Sequence, residues 1–268
     1  MAKASVIISV YKNVAALRAV LYALDCQTEQ DFEIIVSEDG QYAPISECVT
    51  QWKESHTTKC LIHLTQVDVG WRKNIALNRA VAASSTDYLL FLDGDCVPEK
   101  HWVEEHLAFR CAHEVITGRR VLLSPKATQM VLSNPHSVNA PAGLFFLLLV
   151  ERLRGYKSRM ENMLHIRTHW IRNCFIHDRE RFILGCNFSM HKSDLLTVAG
   201  FDERFVYPGL GEDIDLGNRL RRAGIYARSR RAALIVYHCY HPRLDTSSPE
   251  NRKLMEENIQ KNIIRWNE

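Results

Sequence analysis

The sequence lacks several features by which secreted, disulfide-bonded and membrane-spanning proteins are recognised. Its eight cysteines include no C-x-x-C pair, and the N-terminus has neither a long apolar segment nor a small-residue cleavage site. These absences predict reduced thiols rather than a disulfide framework. The longest apolar run, residues 143–150, is much shorter than the about 20 residues of a membrane-spanning helix. We therefore expect a cytoplasmic protein that is soluble or peripheral to a membrane.

A strong charge of one sign is also missing. The formal net charge of the 268 residues is only +3, which is too small to indicate nucleic acid as a partner. One segment departs from this balance, because residues 151–181 contain eight Lys and Arg against four Asp and Glu. Such a segment is either a solvated helical face or a surface for an anionic partner such as a membrane.

Strand and helix patterns alternate through the first half of the chain. Strands are predicted at residues 5–10, 32–36, 61–65 and 88–92, and helices after an Asn13 cap and at residues 73–83. In the second half we predict strands within 114–123 and at 182–190 and 232–237, and helices at 144–164, 193–199, 213–223 and from 249 onward. This alternation is typical of an α/β domain with a Rossmann-like, mostly parallel, twisted sheet flanked by helices. Because no repeat or Gly-, Ser- or Pro-rich linker interrupts it, we predict a single domain.

The strand predicted at residues 88–92 ends in two carboxylates, Asp93 and Asp95, which are separated by Gly94. In open α/β sheets, ligands bind at this C-terminal edge. Carboxylates at such an edge suit Mg²⁺ or Mn²⁺, held together with substrate phosphates. The alternative is a simple Asp-Gly-Asp turn between strand and helix. The strand at 32–36 is likewise followed by Glu38 and Asp39, and parallel strands would make the two acidic ends neighbours.

Two later segments carry further candidate groups. Glu212, Asp213 and Asp215 open a predicted helix, where acids can offset the helix dipole or where one of them can act as a general base. His238 and His241 follow the strand at 232–237. No further Cys/His set accompanies them, so zinc is not predicted there. One of the two histidines completes an oxygen-rich metal site, or it is a buried core histidine.

Taken together, these motifs resemble the inverting nucleotide-sugar glycosyltransferases of family 2, which have the GT-A fold. The resemblance extends from Ser5 to about His241 and is of the bacterial surface-polysaccharide type. It rests on the order of six elements: the first strand at 5–13, Glu38-Asp39-Gly40, Gly70-Trp71-Arg72-Lys73-Asn74, Asp93-Gly94-Asp95, Phe201-Asp202-Glu203 followed by Glu212-Asp213, and His238.

The resemblance implies a role for each matching residue. Asp39 binds the base or ribose, Arg72 and Asn74 the nucleoside or diphosphate, and Asp93 lies near the ribose. Asp95 and His238 hold Mn²⁺ or Mg²⁺, with His241 as the alternative histidine. Asp213 is the base that deprotonates the acceptor hydroxyl, and Glu212 contacts the nucleotide-sugar donor. The sugar pocket is lined by Gly185, Cys186 and Asn187.

Two departures from the family pattern concern the sugar. Some relatives have a Trp-Gly-Gly-Glu-Asp pattern. The corresponding segment here is Gly209-Leu210-Gly211-Glu212-Asp213, which lacks the tryptophan that packs on sugars. The second departure is Glu38-Asp39-Gly40, where the family pattern has Asp-Asp-Gly.

The resemblance implies a glycosyltransferase domain at 1–245, with a nucleotide-binding half at 1–123 and an acceptor half at 124–245, and a helical tail at 246–268.

The function implied is metal-dependent, inverting transfer from a nucleotide sugar, most often a UDP-sugar, to a hydroxyl of a glycan or lipid-linked glycan. Residues 144–181 would then contact the inner face of the cytoplasmic membrane. Two other functions fit parts of the pattern. Asp93 and Asp95 also match the nucleophile motif of haloacid dehalogenase-like phosphohydrolases, although three strands precede them here. A non-catalytic nucleotide- or glycan-binding domain could keep the same fold.

Overall fold

The structure is a computed structural model that describes residues 2–57, 59–175, 182–209, 212–242 and 248–268, without the side chains of His169 and Phe175. Its strands are β1 Ala4–Val10, β2 Phe32–Glu38, β3 Leu61–Leu64, β4 Tyr88–Asp93, β5 Cys96–Pro98, β6 Glu114–Thr117, β7 Arg119–Leu122, β8 Asn187–His191, β9 Tyr226–Ser229 and β10 Ile235–His238.

The helices are α1 Val14–Asp25, α2 Ala43–Ser55, α3 Lys73–Ala83, α4 Trp102–Ala108, α5 Pro125–Ser133, α6 Ala142–Leu153, α7 His169–Phe175, α8 Lys192–Thr197, α9 Glu212–Arg222 and α10 Pro249–Gln260, with 3₁₀ turns at Pro135–Val138 and Met160–Met163. The predicted cap of α1 is present, since the Asn13 side chain accepts a hydrogen bond from the Ala16 N–H at 3.2 Å. In the part of the chain described, no helix is both long and apolar enough to cross a membrane.

The main sheet has seven strands in the order β3-β2-β1-β4-β8-β6-β9. Strands β1 to β4 are all parallel, and β6 is parallel to β9, whereas β8 runs antiparallel to both of its neighbours. The α/β class and the mostly parallel sheet predicted from the sequence are therefore confirmed. The parallel register places the C-terminal ends of β2, β1 and β4 side by side.

Alternate residues of β1 enter two different cores, as the two-residue period of a strand requires. Val6 and Ile8 pack with Leu17 and Leu21 of α1 on one face. Ile7 packs on the other face with a cluster that includes residues of α3, α8 and α9. Because helices cover both faces, the parallel strands are mostly apolar. The acidic candidates Glu38 and Asp93 stand at the C-terminal ends of β2 and β4.

A second, three-stranded sheet has the order β5-β10-β7. Strand β5 follows the Asp93-Gly94-Asp95 turn directly, and it pairs antiparallel with β10 so that His238 lies opposite Cys96. The sequence analysis did not predict β5, which has only three residues and ends in a proline. This short strand is what connects the late histidines to the early carboxylates.

The predicted elements of the second half are partly wrong. The helix predicted at 144–164 ends at Leu153, because the chain turns at Gly155, whose φ of 94° is disfavoured for residues with a side chain. The strand predicted at 182–190 is β8, which begins only at Asn187, and the late strand begins at Ile235. Residues 176–181 of the basic segment, together with Leu210 and Gly211 of the loop before α9, lie outside the described residues.

Candidate active site

The turn at the end of β4 is pressed against β1. The Gly94 N–H donates to the Ser9 carbonyl at 2.7 Å. A Cβ at this position would lie 3.0 Å from both that carbonyl oxygen and Val10 Cβ, so the close approach requires glycine. As a result, Asp93 is held against Ser9 at the edge of the main sheet, and the chain turns into β5 immediately after Asp95.

Asp95 lies beside both late histidines. Its Oδ2 is 3.9 Å from Nε2 of His238 and 3.6 Å from Nε2 of His241, and one ligand atom from each of the three residues lies within 4.8 Å of the others. The register of β5 and β10 produces this arrangement, since the Cys239 N–H donates to the Asp95 carbonyl at 2.9 Å. His241 thus contacts the predicted metal ligand as closely as His238 does.

The environment of His238 suits metal binding. Burial lowers the pKa of His238, with the Arg120 guanidinium adding to this effect and Asp95 opposing it. His241 Nδ1 donates to the Pro242 carbonyl at 2.9 Å, and its Nε2 faces Asp95. Neutral imidazole is the ligating form of histidine. Two imidazole nitrogens and one carboxylate favour Mn²⁺ over Mg²⁺, because Mg²⁺ prefers oxygen ligands.

The sequence analysis gave no role to Lys73, which the structure places between two carboxylates. Its Nζ lies 3.1 Å from Oδ1 of Asp93 and 3.1 Å from Oε1 of Glu212. Burial alone would lower the pKa of Lys73, but the two carboxylates outweigh this effect and raise the pKa well above its ordinary value. The lysine therefore remains a cation and fastens the start of α9 to the end of β4, with Glu212 committed to an ion pair.

The acids that open α9 have different environments. Asp215 is 1% exposed and pairs with Nε of Arg219 at 2.7 Å, so it is part of the core. Asp213 is half-buried, and its Oδ2 accepts a hydrogen bond from the Gly185 N–H at 3.3 Å. A Cβ at Gly185 would lie 3.4 Å from the same oxygen. Asp213 is thus a partly accessible carboxylate whose orientation depends on a backbone N–H.

Asp39 holds together the loop before α3. Its two oxygens accept hydrogen bonds from Nε2 of Gln66 at 2.7 Å and from the Arg72 N–H at 2.8 Å. Glu38 is buried and pairs with Nε2 of His63 at 2.8 Å. Gln66 and His63 are contacts that the sequence motif did not reveal, because they come from β3 and the segment after it. The structure thus places Asp39 next to Arg72, as the motif order suggested.

Two predicted ligand contacts are buried inside the protein. Asn187 is fully buried, and its amide hydrogen-bonds Nε1 of Trp102 at 2.8 Å and the carbonyls of Arg119 and Leu234 at 3.1 Å each. All polar groups of its side chain are used in joining β8 to its neighbours, and the place of Asn187 in the lining of a sugar pocket stays a prediction.

The second buried contact is Asn74. It is 1% exposed, and its Nδ2 donates to the Asp202 carbonyl at 2.7 Å. In this conformation the side chain positions the loop before α9 rather than a nucleotide. Cys186, the middle residue of the predicted pocket lining, is also buried and contacts Nη1 of Arg120 through its sulfur at 3.9 Å.

Comparison with known proteins indicates a family of glycosyltransferases. Residues 5–179 match the model of glycosyl transferase family 2, and residues 165–242 match that of the N-terminal domain of galactosyltransferase. Chondroitin synthase of Escherichia coli is 28% identical over 249 residues, which are 87% of this chain and 34% of that protein. Validoxylamine A glucosyltransferase of Streptomyces hygroscopicus subsp. jinggangensis is 27% identical over 82% of this chain and 52% of that protein. The chain thus spans about a third and about half of these two relatives.

A solved structure has the same fold. A mannosyltransferase from Pyrobaculum calidifontis, in complex with GDP-Man and Mn²⁺, matches with a TM-score of 0.57 at 12% identity, over 91% of this chain and 58% of that one. At this identity the likeness concerns the fold alone, and it confirms the predicted GT-A architecture. The family model covers residues 5–179, well over half of the chain, and we conclude that the protein belongs to glycosyl transferase family 2.

Proposed function

We propose that the protein transfers a sugar from a nucleotide-sugar donor, in the first instance a UDP-sugar, to a hydroxyl of a glycan or lipid-linked glycan, with inversion at the anomeric carbon. The observation that carries this proposal is the meeting of Asp95, His238 and His241 beside the Asp93–Lys73–Glu212 network at one edge of the sheet. Family membership supports it and does not favour the phosphohydrolase alternative.

Asp95, His238 and His241 would hold the divalent cation, Mn²⁺ or Mg²⁺. When bound, such a cation offsets the negative charge that grows on a diphosphate leaving group. The protein adds charge of its own near the same position. Burial lowers the pKa of His238, and the Arg120 guanidinium is close enough to add to this effect. We assign Arg120 to the diphosphate side of the site.

Asp213 serves as the general base in this proposal. The Gly185 N–H fixes one carboxylate oxygen, and the partial exposure of the side chain leaves the other accessible to an acceptor hydroxyl. Transfer of the hydroxyl proton to Asp213 accompanies attack on the anomeric carbon from the face opposite the leaving group. One displacement with one base inverts the configuration.

The donor side is assigned to the ends of β2 and β4. Asp39 and Arg72 would contact the nucleoside, and Asp93 would lie near the ribose. Both oxygens of Asp39 already accept one hydrogen bond, and each retains a second lone pair for a nucleobase N–H. Asn74 and Glu212 would act through the loops they hold, since each is committed to a protein partner.

An open cleft next to the predicted base suits a charged acceptor. It has a volume of about 380 Å³ and begins at Ile183 and Leu184 beside Gly185. Three arginines, Arg119, Arg159 and Arg231, contribute to its lining against one carboxylate, Glu161. Arginine binds carboxylates and phosphates through paired hydrogen bonds. We therefore propose an acceptor that bears carboxylate or phosphate groups, in agreement with the chondroitin synthase likeness.

The acceptor could be presented at a membrane by the region around α6. Phe146 and Leu153 on this helix are 64% and 82% exposed, and Trp170 is 69% exposed. Arg152 and Arg154 lie at the same end of the helix. Aromatic and aliphatic side chains beside arginines are typical of surfaces that bind anionic lipid. Contact of residues 144–181 with the cytoplasmic membrane accordingly remains part of this proposal.

The proposal is tested with the purified chain, a panel of UDP- and GDP-sugars and Mn²⁺. We expect one donor to raise the melting temperature, because a ligand that binds only the folded state stabilises it. With an acidic oligosaccharide or a lipid-linked phosphate as acceptor, we expect release of the nucleoside diphosphate and a product of inverted configuration by NMR.

Three results would contradict parts of this proposal. Retained configuration would remove the single-displacement mechanism. Hydrolysis of simple phosphate esters without nucleotide would restore the phosphohydrolase alternative. Donor binding without transfer to any acceptor in the panel would identify the chain as a binding domain.

A further inference from the structure

A second group of histidines and carboxylates lies at the other end of β5. One ligand atom from each of Glu99, His101 and His165 lies within 4.8 Å of the others. Glu99 and His101 belong to the turn between β5 and α4, whereas His165 follows the 3₁₀ turn at Met160–Met163. We refer to these three residues as the closed cluster, since their side chains are only 9–13% exposed.

The contacts of His165 define which of its nitrogens is free to bind. Nε2 lies 3.1 Å from Oε1 of Glu105, and this distance makes it the hydrogen-bond donor to that carboxylate. Nδ1 lies 3.6 Å from Oε2 of Glu99, which is too long for a hydrogen bond. With Nε2 directed at Glu105, Nδ1 is the nitrogen of His165 that faces Glu99. A metal ion between this nitrogen and the Glu99 carboxylate would bind both atoms.

The spacing agrees with a metal ion between them. Zinc bonds to histidine and carboxylate are about 2.0–2.2 Å long, so two ligands at a tetrahedral angle are about 3.4 Å apart. The observed separation of 3.6 Å between Glu99 and His165 is close to this value. A metal-bound histidine also commonly donates its second N–H to a carboxylate, which is the relation between His165 and Glu105.

The surrounding residues hold the other members of the cluster. Oε2 of Glu99 accepts the backbone N–H of His101 at 2.9 Å. Nδ1 of His101 lies 3.0 Å from Oε2 of Glu104, and the Thr28 hydroxyl donates to the same oxygen at 2.6 Å. The donor atoms are thus oriented before any ion binds. This order reduces the entropy lost on binding.

We propose that the closed cluster is a structural zinc site, with Glu99, His101 and His165 as ligands and water as the fourth. Imidazole nitrogen excludes Mg²⁺ and Ca²⁺ as the preferred ions, and a closed site of mixed N and O ligands is suited to Zn²⁺. Its effect is to fasten the connector that follows α6 to the start of α4. This connector also meets the chain near β10, where the Ile166 N–H donates to the Ala232 carbonyl at 2.8 Å.

The site is separate from the cluster at Asp95. Asp95 and Glu99 are four residues apart along an extended strand, which corresponds to about 13 Å. None of the hydrogen bonds and ion pairs described above for the closed cluster involves a residue proposed to take part in transfer, so its occupancy can be measured without any activity assay. The proposal stands or fails independently of the proposed function.

The experiment uses the full chain after removal of metal with a chelator. Zn²⁺ binding is measured by calorimetry, and Co²⁺ binding by its visible absorption. Both measurements use the Asp95→Ala variant, which lacks the carboxylate of the cluster formed by Asp95, His238 and His241 (the open cluster). We expect one Zn²⁺ per chain, an increase in melting temperature on adding Zn²⁺, and the intense absorption of tetrahedral Co²⁺. Adding His165→Gln or the nearly isosteric Glu99→Gln weakens Zn²⁺ affinity at least about a hundredfold, since even outer-shell changes cost 10–100-fold.

The matched control is His113→Gln in the same background. His113 also contacts a carboxylate, Oδ1 of Asp194 at 3.2 Å, but its side chain is 76% exposed and belongs to neither cluster. This variant should bind Zn²⁺ like its parent. The zinc site is overturned if the Asp95→Ala protein binds no Zn²⁺, or if His165→Gln and His113→Gln bind it equally.

Discussion

The two ends of β5 carry the same kinds of side chain in different settings. Before the strand, Asp95 meets two histidines whose side chains are 16% and 45% exposed. After it, the closed cluster is no more than 13% exposed. Its members are fixed by hydrogen bonds of His165 to Glu105, of the His101 ring to Glu104 and of the His101 backbone N–H to Glu99. An exposed set of ligands can exchange water for substrate, whereas an enclosed set can only hold an ion. Exposure, rather than residue type, thus separates the proposed reaction centre from the proposed structural site.

The largest expected effect is a loss of turnover, and it tests whether the end of β5 at Asp95 belongs to a reaction centre. Asp213→Asn keeps the shape of the side chain but removes the ability to accept a proton, so turnover should fall about 10²–10⁴-fold. Donor affinity, measured by calorimetry, should stay within about twofold of wild type. Loss of donor affinity with turnover retained would make Asp213 a binding residue and place the base elsewhere.

The second effect concerns the metal at the open end. Asp95→Ala removes the only carboxylate of that cluster, so Mn²⁺-dependent binding of a nucleoside diphosphate should become undetectable by calorimetry. Asp31→Ala, a surface carboxylate with 65% side-chain exposure, is the control and should leave this binding unchanged. Equal affinity in wild type and Asp95→Ala would remove Asp95 from the metal site.

The third effect concerns the buried charges next to the open cluster. Lys73→Met leaves Asp93 and Glu212 facing each other without their cation, and it should lower the free energy of unfolding by about 3 kcal/mol. The double variant Lys73→Met/Glu212→Gln should recover part of this loss, because it removes one of the two unpaired carboxylates. Urea unfolding measures both. If the single variant is as stable as wild type, Lys73 is not needed to hold α9 to β4.

His106 belongs to neither cluster, and it should make the free energy of unfolding depend on pH in the acidic range. His106 on α4 is fully buried, and burial lowers its pKa to about 3. Unfolded histidine has a pKa of about 6.5, so as the pH falls below this value the unfolded state takes up a proton that the folded state does not. This histidine should reduce the free energy of unfolding by up to about 1.4 kcal/mol per pH unit between pH 6 and pH 3.

His106→Gln should remove this contribution and flatten the pH dependence by the same amount. The measurement is the difference between urea unfolding of wild type and variant at a series of pH values. Parallel curves for the two proteins would mean that His106 is protonated in the folded state.

The smallest effect separates the two histidines of the open cluster. His238→Ala should raise the Mn²⁺ concentration for half-maximal activity about tenfold, and His241→Ala should raise it less. The reason is that the His238 side chain is 16% exposed against 45% for His241, so a ligand at 238 is held more firmly in place. A larger defect in His241→Ala would reverse this assignment.

Much of the fold could be predicted because its signals are local. The buried strands of the first half are continuous apolar runs ended by polar residues, and Asn13 marks the start of α1 in the way that helix caps do. The pairing of Asp95 with a late histidine was predicted from the order of motifs in a known family. The role of Lys73 was not predicted, because its two partners, Asp93 and Glu212, lie 20 and 139 residues away along the chain.

Three other features were not apparent from the sequence. The burial of Asn187 is the first, because an asparagine in an open pocket and one in a core have the same sequence signature. The closed cluster was not predicted, since His101 and His165 are far apart in sequence and neither lies in a recognised motif. Strand β5, with three residues and a terminal proline, is too short to show a strand period.

The sequence by itself determined the strands and helices of the first half before Asp95 and the chemical groups at their ends, because these depend on hydrophobic period, capping residues and glycine. Only the tertiary structure decided which groups meet. The antiparallel pairing of β5 with β10 brings His238 and His241 to Asp95, and the return of the chain after α6 brings His165 to Glu99. The physical reason is that metal and ion-pair contacts act over a few ångströms, and long-range packing sets those distances.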